Sequence, residues 1–279
     1  MAEKAEKSTA RAFLAPTWFK IIFVVEWAAF LVLGLLRGDL HGGRQLLVAS
    51  YPLMIFYLVG CELDRLSRRG RQMGRGWKLP GPVTGLVAGL VVGLLASDQL
   101  SKTLVARSLP LHSSVPIVEG WLHVAHEQNR QGSWLMSAFD APLLSIAELA
   151  VVVVPILLLS ILCYRYYVKT KRGSVWADAA FVGLFAGLAS WVCDVGLRGC
   201  VIDYLQLPGV VTADLKDILL AVGGAAFVVE ALDSPYASWR WEGWRAEGKK
   251  LRQAVVGFAR FSAQEVRGIG QVLMKKHKG

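Results

Sequence analysis

Six long apolar runs, separated by charged segments, restrict this chain to the folds of membrane proteins. A helix that crosses the hydrocarbon core of a bilayer needs about 20 mostly apolar residues. Here 54% of the residues are hydrophobic and only 19% are charged. The third run is short by itself, but Leu100, Leu104 and Val105 can extend it. The predicted transmembrane helices are approximately Trp18–Leu36, Gln45–Leu63, Val83–Ala96, Pro142–Tyr164, Val175–Cys193 and Leu215–Ala231.

The positions of the basic residues predict how these helices are oriented. Of the 31 Lys and Arg residues, 24 lie in the N-terminal segment, in the loops after the second and fourth runs, or in the tail from Asp233. Six helices place all of these segments on one side of the membrane, which the positive-inside rule identifies as the cytoplasmic side. We therefore predict that both termini are cytoplasmic. The same distribution assigns the net charge of +10 to membrane orientation rather than to nucleic-acid binding.

The predicted fold class is an all-α integral membrane protein with about six transmembrane helices and a small extracytoplasmic β element. Residues 115–127 have the composition of a strand, and the polar segment 128–132 that follows is typical of a turn. We divide the chain into an N-terminal extension with two helices (1–79), a core with four helices (80–232) and a basic amphipathic cytoplasmic tail (233–279).

The tail is predicted to form an amphipathic helix. Its apolar residues recur at helical spacing among Lys and Arg: Leu251, Val255, Phe258, Val266, Ile269 and Leu273. This pattern is typical of a helix that lies on the anionic surface of a membrane. A helix packed against the protein's own loops would show the same pattern, so both interpretations stay open.

Carboxylates at the predicted outer ends of three helices are the strongest sign of chemistry. Asp98 follows the third run, Asp194 and Asp203 follow the fifth, and Asp214 and Asp217 begin the sixth. Carboxylates close to hydrocarbon are costly unless they are paired or hydrated, which makes them candidate functional residues. Two close carboxylates share one proton, so the ionised member can activate water while the neutral member polarises a peptide carbonyl. Asp214 is equally suited to cap the sixth helix.

Four stretches in this order resemble the sequence boxes of the type II (lipoprotein) signal peptidase family. The first runs from Asp98 to Lys102, and the second contains Asn129 and Gly132. The remaining stretches are residues 187–194 with 199–204, which end around Asp203, and residues 211–214, which end in Asp214. The resemblance covers about residues 80–232.

This resemblance implies an aspartyl endopeptidase of the bacterial inner membrane. Such an enzyme removes signal peptides from diacylglyceryl-modified prolipoproteins at the outer membrane face, and it uses no metal ion or other cofactor. Its partners are the lipidated prolipoprotein and membrane lipid. The catalytic pair would be Asp203 and Asp214. Substrate binding or site support would come from Asn129, Asp98, Lys102, Asp194 and Gly199, with Arg198 in place of the Arg expected directly after Asp194.

Departures from the family pattern leave a second function open. Trp191 and Val211 stand where the family carries Asn, and Val195 stands where it carries Arg. Because an aspartyl site depends on its supporting polar groups, the chain could instead be a non-catalytic member that binds lipoproteins or assists their assembly. A transporter is a further alternative, since carboxylates within or near the helices could form a proton or ion path: Glu26, Glu148, Asp178 and Glu230.

Histidines and cysteines give weaker signals. His123 and His126 are three residues apart and would point to opposite faces of a strand, so we expect no metal site there. The four cysteines, Cys61, Cys163, Cys193 and Cys200, fit the pattern of small buried apolar residues. A disulfide between Cys193 and Cys200 remains open.

Overall fold

A computed structural model describes residues 17–72, 83–130, 145, 148–171, 174–233 and 244–276, and the structural statements below concern these residues. The described helices are α1 (Trp18–Arg37), α2 (Gly43–Gln72), α3 (Val83–Ser108), α4 (Val154–Lys171, preceded by a π-helical turn at Leu149–Val153), α5 (Val175–Arg198), α6 (Leu215–Asp233) and α7 (Trp244–Lys276). The strands are β1 (Ser114–Val118), β2 (Leu122–Asn129), β3 (Val201–Leu207) and β4 (Val211–Ala213).

The helices confirm the predicted fold class. All six predicted runs lie on helices, with the fourth described from Glu148 onward. Within the described parts of the chain, four segments are long and apolar enough by themselves to cross a membrane: Phe19–Arg37, Gly43–Arg69, Val151–Thr170 and Val175–Arg198. The helices α3 and α6 are not among these four. Near the sheet, α3 carries the buried Asp98 and Lys102, and α6 carries the buried Lys216. The fold is thus an all-α membrane bundle with a small antiparallel sheet.

The two N-terminal helices pack directly against the core of the bundle. A buried cluster joins Phe23 of α1 and Phe56 of α2 to Trp176 of α5 and to Ala226 and Val229 of α6. The ring centroids of Phe23 and Trp176 are 6.0 Å apart. Burial of aromatic and aliphatic side chains against each other stabilises this contact, so the extension forms one bundle with the core.

The backbones of α5 and α6 approach closely because glycines face each other at the crossing. A Cβ atom placed on Gly223 would lie 2.6 Å from the backbone nitrogen of Leu184 and 3.0 Å from the Cα atom of Gly183. Small residues at helix crossings allow this approach in membrane proteins. This crossing sets the distance between the end of α5, which carries Asp194, and the start of α6, which follows Asp214.

The sheet is antiparallel in the order β1-β2-β3-β4 and covers one end of the bundle. The predicted turn at 128–132 was wrong for Gln128 and Asn129, which belong to β2, and residues 131 and 132 lie outside the described residues. The chain reverses instead at Gly120, whose φ of 72° favours glycine, and β2 then continues to Asn129. The strands β3 and β4 were not predicted, because β3 is mostly apolar without alternation and β4 has only three residues, and both lie close to long apolar helices.

The tail helix α7 docks on the protein's own helix α4. The ring of Tyr166 lies 5.5 Å from that of Phe258 and 5.4 Å from that of Phe261. Glu265 forms ion pairs with both Arg165 and Lys169. The structure therefore supports the packed interpretation for this contact, while contact of α7 with a membrane surface stays a prediction.

All four cysteines are free thiols in the structure. Cys61 and Cys200 are buried, as predicted, whereas Cys193 is half-buried. Cys163 is exposed on α4, a helix apolar enough to face lipid, so the expectation of burial was wrong for this residue. The disulfide that the sequence left open is not formed.

The close crossing of α5 and α6 predicts opposite effects of two neighbouring substitutions. Gly223→Ala forces a methyl group into the backbone of α5 and should destabilise the fold by about 1–3 kcal/mol. Gly224→Ala meets nothing within 4 Å and should be neutral or stabilising by up to about 1 kcal/mol, because alanine favours helix. Thermal unfolding of both variants in detergent measures the difference. Equal melting temperatures would contradict the described crossing.

Candidate active site

The predicted site residues come together at one end of the bundle, under the sheet, and Asn129 reaches this end on β2. Asp98 and Lys102 lie one turn apart on α3, and Asp194 lies in the last turn of α5. Asp203 lies on β3, and Asp214 immediately precedes α6. Residues far apart in the sequence therefore meet in a small volume, as the predicted outer ends of the helices implied.

Lys102 is the centre of this cluster. Its Nζ atom lies 2.6 Å from Asp98 Oδ2, 2.5 Å from Asp194 Oδ2 and 2.6 Å from Asp214 Oδ2. The side chains of Lys102, Asp98, Asp194 and Asp214 are all fully buried. A buried charge is stable only when it is paired and hydrogen-bonded, so this ammonium group links α3, α5 and the start of α6.

A second set of polar side chains holds the carboxylates of Asp98 and Asp194. Ser190 donates a hydrogen bond to Asp98, and Gln99 Nε2 donates to Ser190 Oγ at 2.9 Å and to Asp194 Oδ1 at 3.0 Å. Arg198 Nη1 donates to Asp194 Oδ1 at 2.9 Å and to Gln99 Oε1 at 2.6 Å. The structure therefore places Arg198 beside the Asp194 carboxylate, and its role as site support stays a prediction.

Gly199 has a different position from the other predicted residues. It ends α5 in the left-handed conformation, with φ 67°, and its backbone N–H donates to Val195 O. Glycine is favoured at this position because it carries no Cβ atom. Gly199 thus allows the chain to turn from α5 into β3. It has no side chain to contact the other site residues, so it contributes only to the course of the backbone near the site.

The predicted catalytic pair lies at the edge of the Lys102 cluster. One carboxylate oxygen each from Asp203, Asp214 and Asp217 lies within 4.8 Å of the others. Asn129 Nδ2 donates to Asp203 Oδ2 at 3.1 Å. The other oxygen of Asp203, Oδ1, is buried and accepts no hydrogen bond from the described residues. The carboxyl groups of Asp203 and Asp214 are therefore close enough to bind one water molecule between them.

Asp214 also caps α6, as the sequence allowed. Its Oδ1 atom accepts from the backbone N–H of Asp217 at 3.1 Å, and its own backbone N–H donates to Asp217 Oδ2 at 3.3 Å. This reciprocal pair is the pattern of a capping box. The cap fixes the position of the Asp214 carboxylate, so the two interpretations of this residue are compatible.

Lys216 was missed by the sequence analysis and is a direct neighbour of the pair. It is buried, and its Nζ atom lies 3.0 Å from Asp214 Oδ1, 2.9 Å from Asp217 Oδ1 and 4.0 Å from Asp203 Oδ1. A signal was available, because a lysine is disfavoured in the first turn of a helix. It also lies on the side that the positive-inside rule leaves poor in basic residues. Gln99 and Ser190 gave no such signal.

The charges of the cluster do not balance if every group is ionised. Asp98, Asp194, Asp203, Asp214 and Asp217 provide five carboxylates, and Lys102, Lys216 and Arg198 provide three cations. Burial raises the pKa of Asp203 to about 6, although the attraction of Lys216 opposes this shift. Burial and the neighbouring charge of Asp217 also raise the pKa of Asp214. Both effects favour retention of a proton on the pair.

Two groups of three carboxylates have the spacing of cation sites. They are Asp98, Asp194 and Asp214, and Asp203, Asp214 and Asp217. In the first group the ammonium of Lys102 lies within ion-pair distance of all three carboxylates, and in the second group Lys216 does. A lysine therefore supplies the positive charge in each group. The chemistry of Asp203 and Asp214 is accordingly derived from these side chains.

Comparison with known proteins agrees with the geometry. The family model for signal peptidase (SPase) II matches residues 90–233, which is more than half of the chain. The chain belongs to the signal peptidase II family. This match includes all of the site residues discussed above.

Individual relatives are distant. A lipoprotein signal peptidase of Desulforapulum autotrophicum is 30% identical over 113 residues, which are 40% of this chain and 68% of that protein. One of Fusobacterium nucleatum is 26% identical over 140 residues, which are 49% of this chain and 80% of that protein. A solved bacterial membrane enzyme is similar at a TM-score of 0.45 and 18% identity, covering 55% of this chain and 96% of that one.

The central position of Lys102 predicts a large loss of stability when its charge is removed. Lys102→Met leaves three buried carboxylates without their shared cation, so the free energy of unfolding should fall by about 3–5 kcal/mol. Arg107→Gln, at an exposed position on the same helix, should change it by less than about 0.5 kcal/mol. Chemical unfolding in detergent compares the two. Equal stability of both variants would contradict the role of Lys102.

Proposed function

We propose that the protein is an aspartyl endopeptidase that removes signal peptides from diacylglyceryl-modified prolipoproteins. The observation that carries this proposal is the close pair Asp203 and Asp214, buried at one end of a membrane bundle with a carboxylate oxygen from each within 4.8 Å. The chain also belongs to the signal peptidase II family, and two of its relatives are named lipoprotein signal peptidases. The match of the family model to residues 90–233 supports the proposal, since this range includes both Asp203 and Asp214.

The proposed mechanism uses one proton shared by the pair. The ionised carboxyl takes a proton from a bound water, and the resulting hydroxide attacks the carbonyl carbon of the scissile peptide bond. The neutral carboxyl donates its proton to the carbonyl oxygen. The carboxyl that took the water proton then gives it to the amide nitrogen, while the other carboxylate takes a proton back from a hydroxyl of the tetrahedral intermediate. The C–N bond breaks and releases the new N-terminus, which begins with the lipidated cysteine. No covalent intermediate with the protein is needed.

Each neighbour of the pair has a physical role in this mechanism. The Asn129 amide donates to Asp203 and fixes the plane of its carboxyl group, which leaves Oδ1 for water or substrate. Lys102 and Lys216 both contact Asp214, on opposite oxygens, and hold it in place. Preorganised charges of this kind stabilise charge that develops in the transition state. We propose Asp98, Asp194 and Arg198 as support for Lys102 rather than as contacts to substrate.

The proposed membrane location rests on the distribution of basic residues. We propose that the site lies at the outer face of the bacterial inner membrane, with both termini in the cytoplasm, because this orientation places most basic residues on the cytoplasmic side. The substrate would enter sideways from the bilayer, since its diacylglyceryl group is stable only in lipid. Membrane lipid is therefore part of the binding environment.

A non-catalytic family member that binds lipoproteins is the second candidate. Lys216 favours it, because a cation 3.0 Å from Asp214 and 4.0 Å from Asp203 opposes retention of the shared proton. Trp191, in place of the family's Asn, is buried in an apolar cluster with Val195 and Val201. Cleavage of a lipidated substrate distinguishes this candidate from the peptidase.

The carboxylates behind the transporter alternative serve local contacts in the structure. Asp178 accepts a hydrogen bond from Tyr164 at 2.6 Å, and Glu230 accepts from Tyr167 and Ser174. Glu148 accepts from the backbone of Ser145 at 2.7 Å. These contacts account for three of the four carboxylates without an ion path.

Substitution of either member of the pair should abolish cleavage. Asp203→Asn and Asp214→Asn each remove a group that must ionise or donate a proton, so the rate should fall by about 10⁴-fold or more. The control is Asp178→Asn, a carboxylate on α5 at the opposite end of the bundle. Purified protein in detergent or lipid is given a diacylglyceryl-modified prolipoprotein, and mass spectrometry detects the products. Full activity of either pair variant would contradict the proposal.

The pH dependence of cleavage should report the shared proton. Activity should rise as the first carboxyl ionises, near the Asp203 pKa of about 6, and fall when the pair loses its second proton. Asp217→Asn removes a negative charge that raises the pKa of both members. Both limbs of the profile should therefore shift to lower pH. A profile of kcat/KM against pH that moves upward, or does not move, would contradict this assignment.

A further inference from the structure

The first turn of α2 contacts the tips of both turns of the sheet. One tip is Gly120, between β1 and β2, and the other is Gly209, between β3 and β4. Both glycines have positive φ angles, 72° and 73°. Arg44 lies against the first tip and Gln45 against the second. Consecutive residues of the N-terminal extension thus hold two separate turns of the family core.

The guanidinium group of Arg44 occupies the space that a side chain on Gly120 would need, so a larger residue at that tip would displace it. A Cβ atom on Gly120 would lie 2.1 Å from Arg44 Nη2 and 3.3 Å from its Cζ atom. Beside this contact, the ring of Tyr51 on α2 meets the ring of Trp121 edge-on, with centroids 6.4 Å apart. The β1–β2 turn is therefore held against α2 by a guanidinium group and an aromatic pair.

Gln45 is fixed in orientation before it reaches Gly209. Its Oε1 atom accepts from the backbone N–H groups of His41 at 2.8 Å and Gly42 at 3.2 Å, which caps the start of α2. The Nε2 atom consequently faces the β3–β4 turn, where a Cβ atom on Gly209 would lie 3.0 Å from it. The helix cap and the contact with the turn depend on the same side chain.

These tips matter because of the residues that their strands carry. The Gly209 turn joins β3, which bears Asp203, to β4, which ends directly before Asp214. The Gly120 turn leads into β2, which ends in Asn129, the donor to Asp203. A shift of either tip would move one member of the pair, or its amide partner, relative to the other. Catalytic groups tolerate displacements of only about 0.5 Å.

The opposite side of the pair rests on the same extension. Helix α6, whose first turn follows Asp214, packs through Ala226 and Val229 against Phe23 of α1. Helix α2 therefore contacts the sheet at its tips, and α1 contacts α6 around Ala226 and Val229. The hairpin that carries the pair is held between these contacts.

We propose that Arg44 and Gln45 are positioning residues for Asp203 and Asp214, an inference that rests on the proposed peptidase function. The extension at 1–79 then contributes to catalysis. It helps to set the geometry of Asp203 and Asp214 although it lies outside the family core. Neither residue contacts the reacting atoms. Their effect passes through the backbone of the two turns.

The test combines kinetics with hydrogen exchange on the full-length protein. The variants are Arg44→Ala and Gln45→Ala, with Gln45→Glu as the conservative variant that keeps the length and the capping oxygen. Asp39→Asn is the matched control, since Asp39 is exposed in the same connection between α1 and α2. Cleavage of the lipidated substrate gives kcat and KM. Exchange is followed by mass spectrometry in residues 43–47 and 201–213.

The expected result separates positioning from helix capping. Arg44→Ala and Gln45→Ala should lower kcat about tenfold to hundredfold with KM close to that of the wild type. Gln45→Glu should recover most of the loss. Exchange at residues 201–213 should become faster in Gln45→Ala, whereas loss of the cap alone would accelerate only residues 43–47. The Asp39→Asn variant should match the wild type in each measurement.

Two results would overturn the inference, and they differ from each other. If the wild type cleaves and the alanine variants keep its kcat and its exchange at 201–213, the positioning role is wrong and the peptidase function stands. If folded wild-type protein cleaves no lipidated substrate, the proposed function fails and this inference fails with it.

Discussion

The contact of one buried ammonium group with three carboxylates determines the rest of the site. Lys102 lies within 2.6 Å of oxygens from Asp98, Asp194 and Asp214, on three different elements. Because buried charges must be paired, this contact fixes the positions of α3, the last turns of α5 and the start of α6 relative to one another. The close glycine crossing of α5 and α6 makes such convergence sterically feasible. The bundle thus concentrates its charge at one end.

The excess of carboxylates over cations gives this end its chemistry. Asp203 and Asp214 lie where the cluster meets the sheet, and burial raises the pKa of both. A pair that retains one proton can act as acid and base in the same reaction. The contacts of Lys216 oppose this retention, and the desolvation of the carboxyl groups favours it. The balance between these two effects decides whether the site hydrolyses peptides.

The sequence predicted the helices and most of the residues that meet in the candidate site. The physical reasons for this also explain which contacts and strands it did not predict. Apolar runs identify helices in a bilayer, and Asp98, Asn129, Asp203 and Asp214 lie in recognisable boxes. The three-way contact of Lys102 joins residues more than 100 positions apart, which no local pattern encodes. The strand β3 is mostly apolar and largely buried and therefore shows no alternation, and β4 is only three residues long. Arg44 and Gln45 act through glycine turns, so their own residue types carry no signal.

The most direct test of this account is the protonation state of the pair, measured by infrared difference spectroscopy of the purified protein at neutral pH. The account predicts one protonated carboxyl shared by Asp203 and Asp214, whose band is lost or shifted in both the Asp203→Asn and the Asp214→Asn variants. A spectrum that contains no protonated carboxyl sensitive to either substitution would show both residues ionised. That result would contradict the aspartyl mechanism and favour the non-catalytic family member.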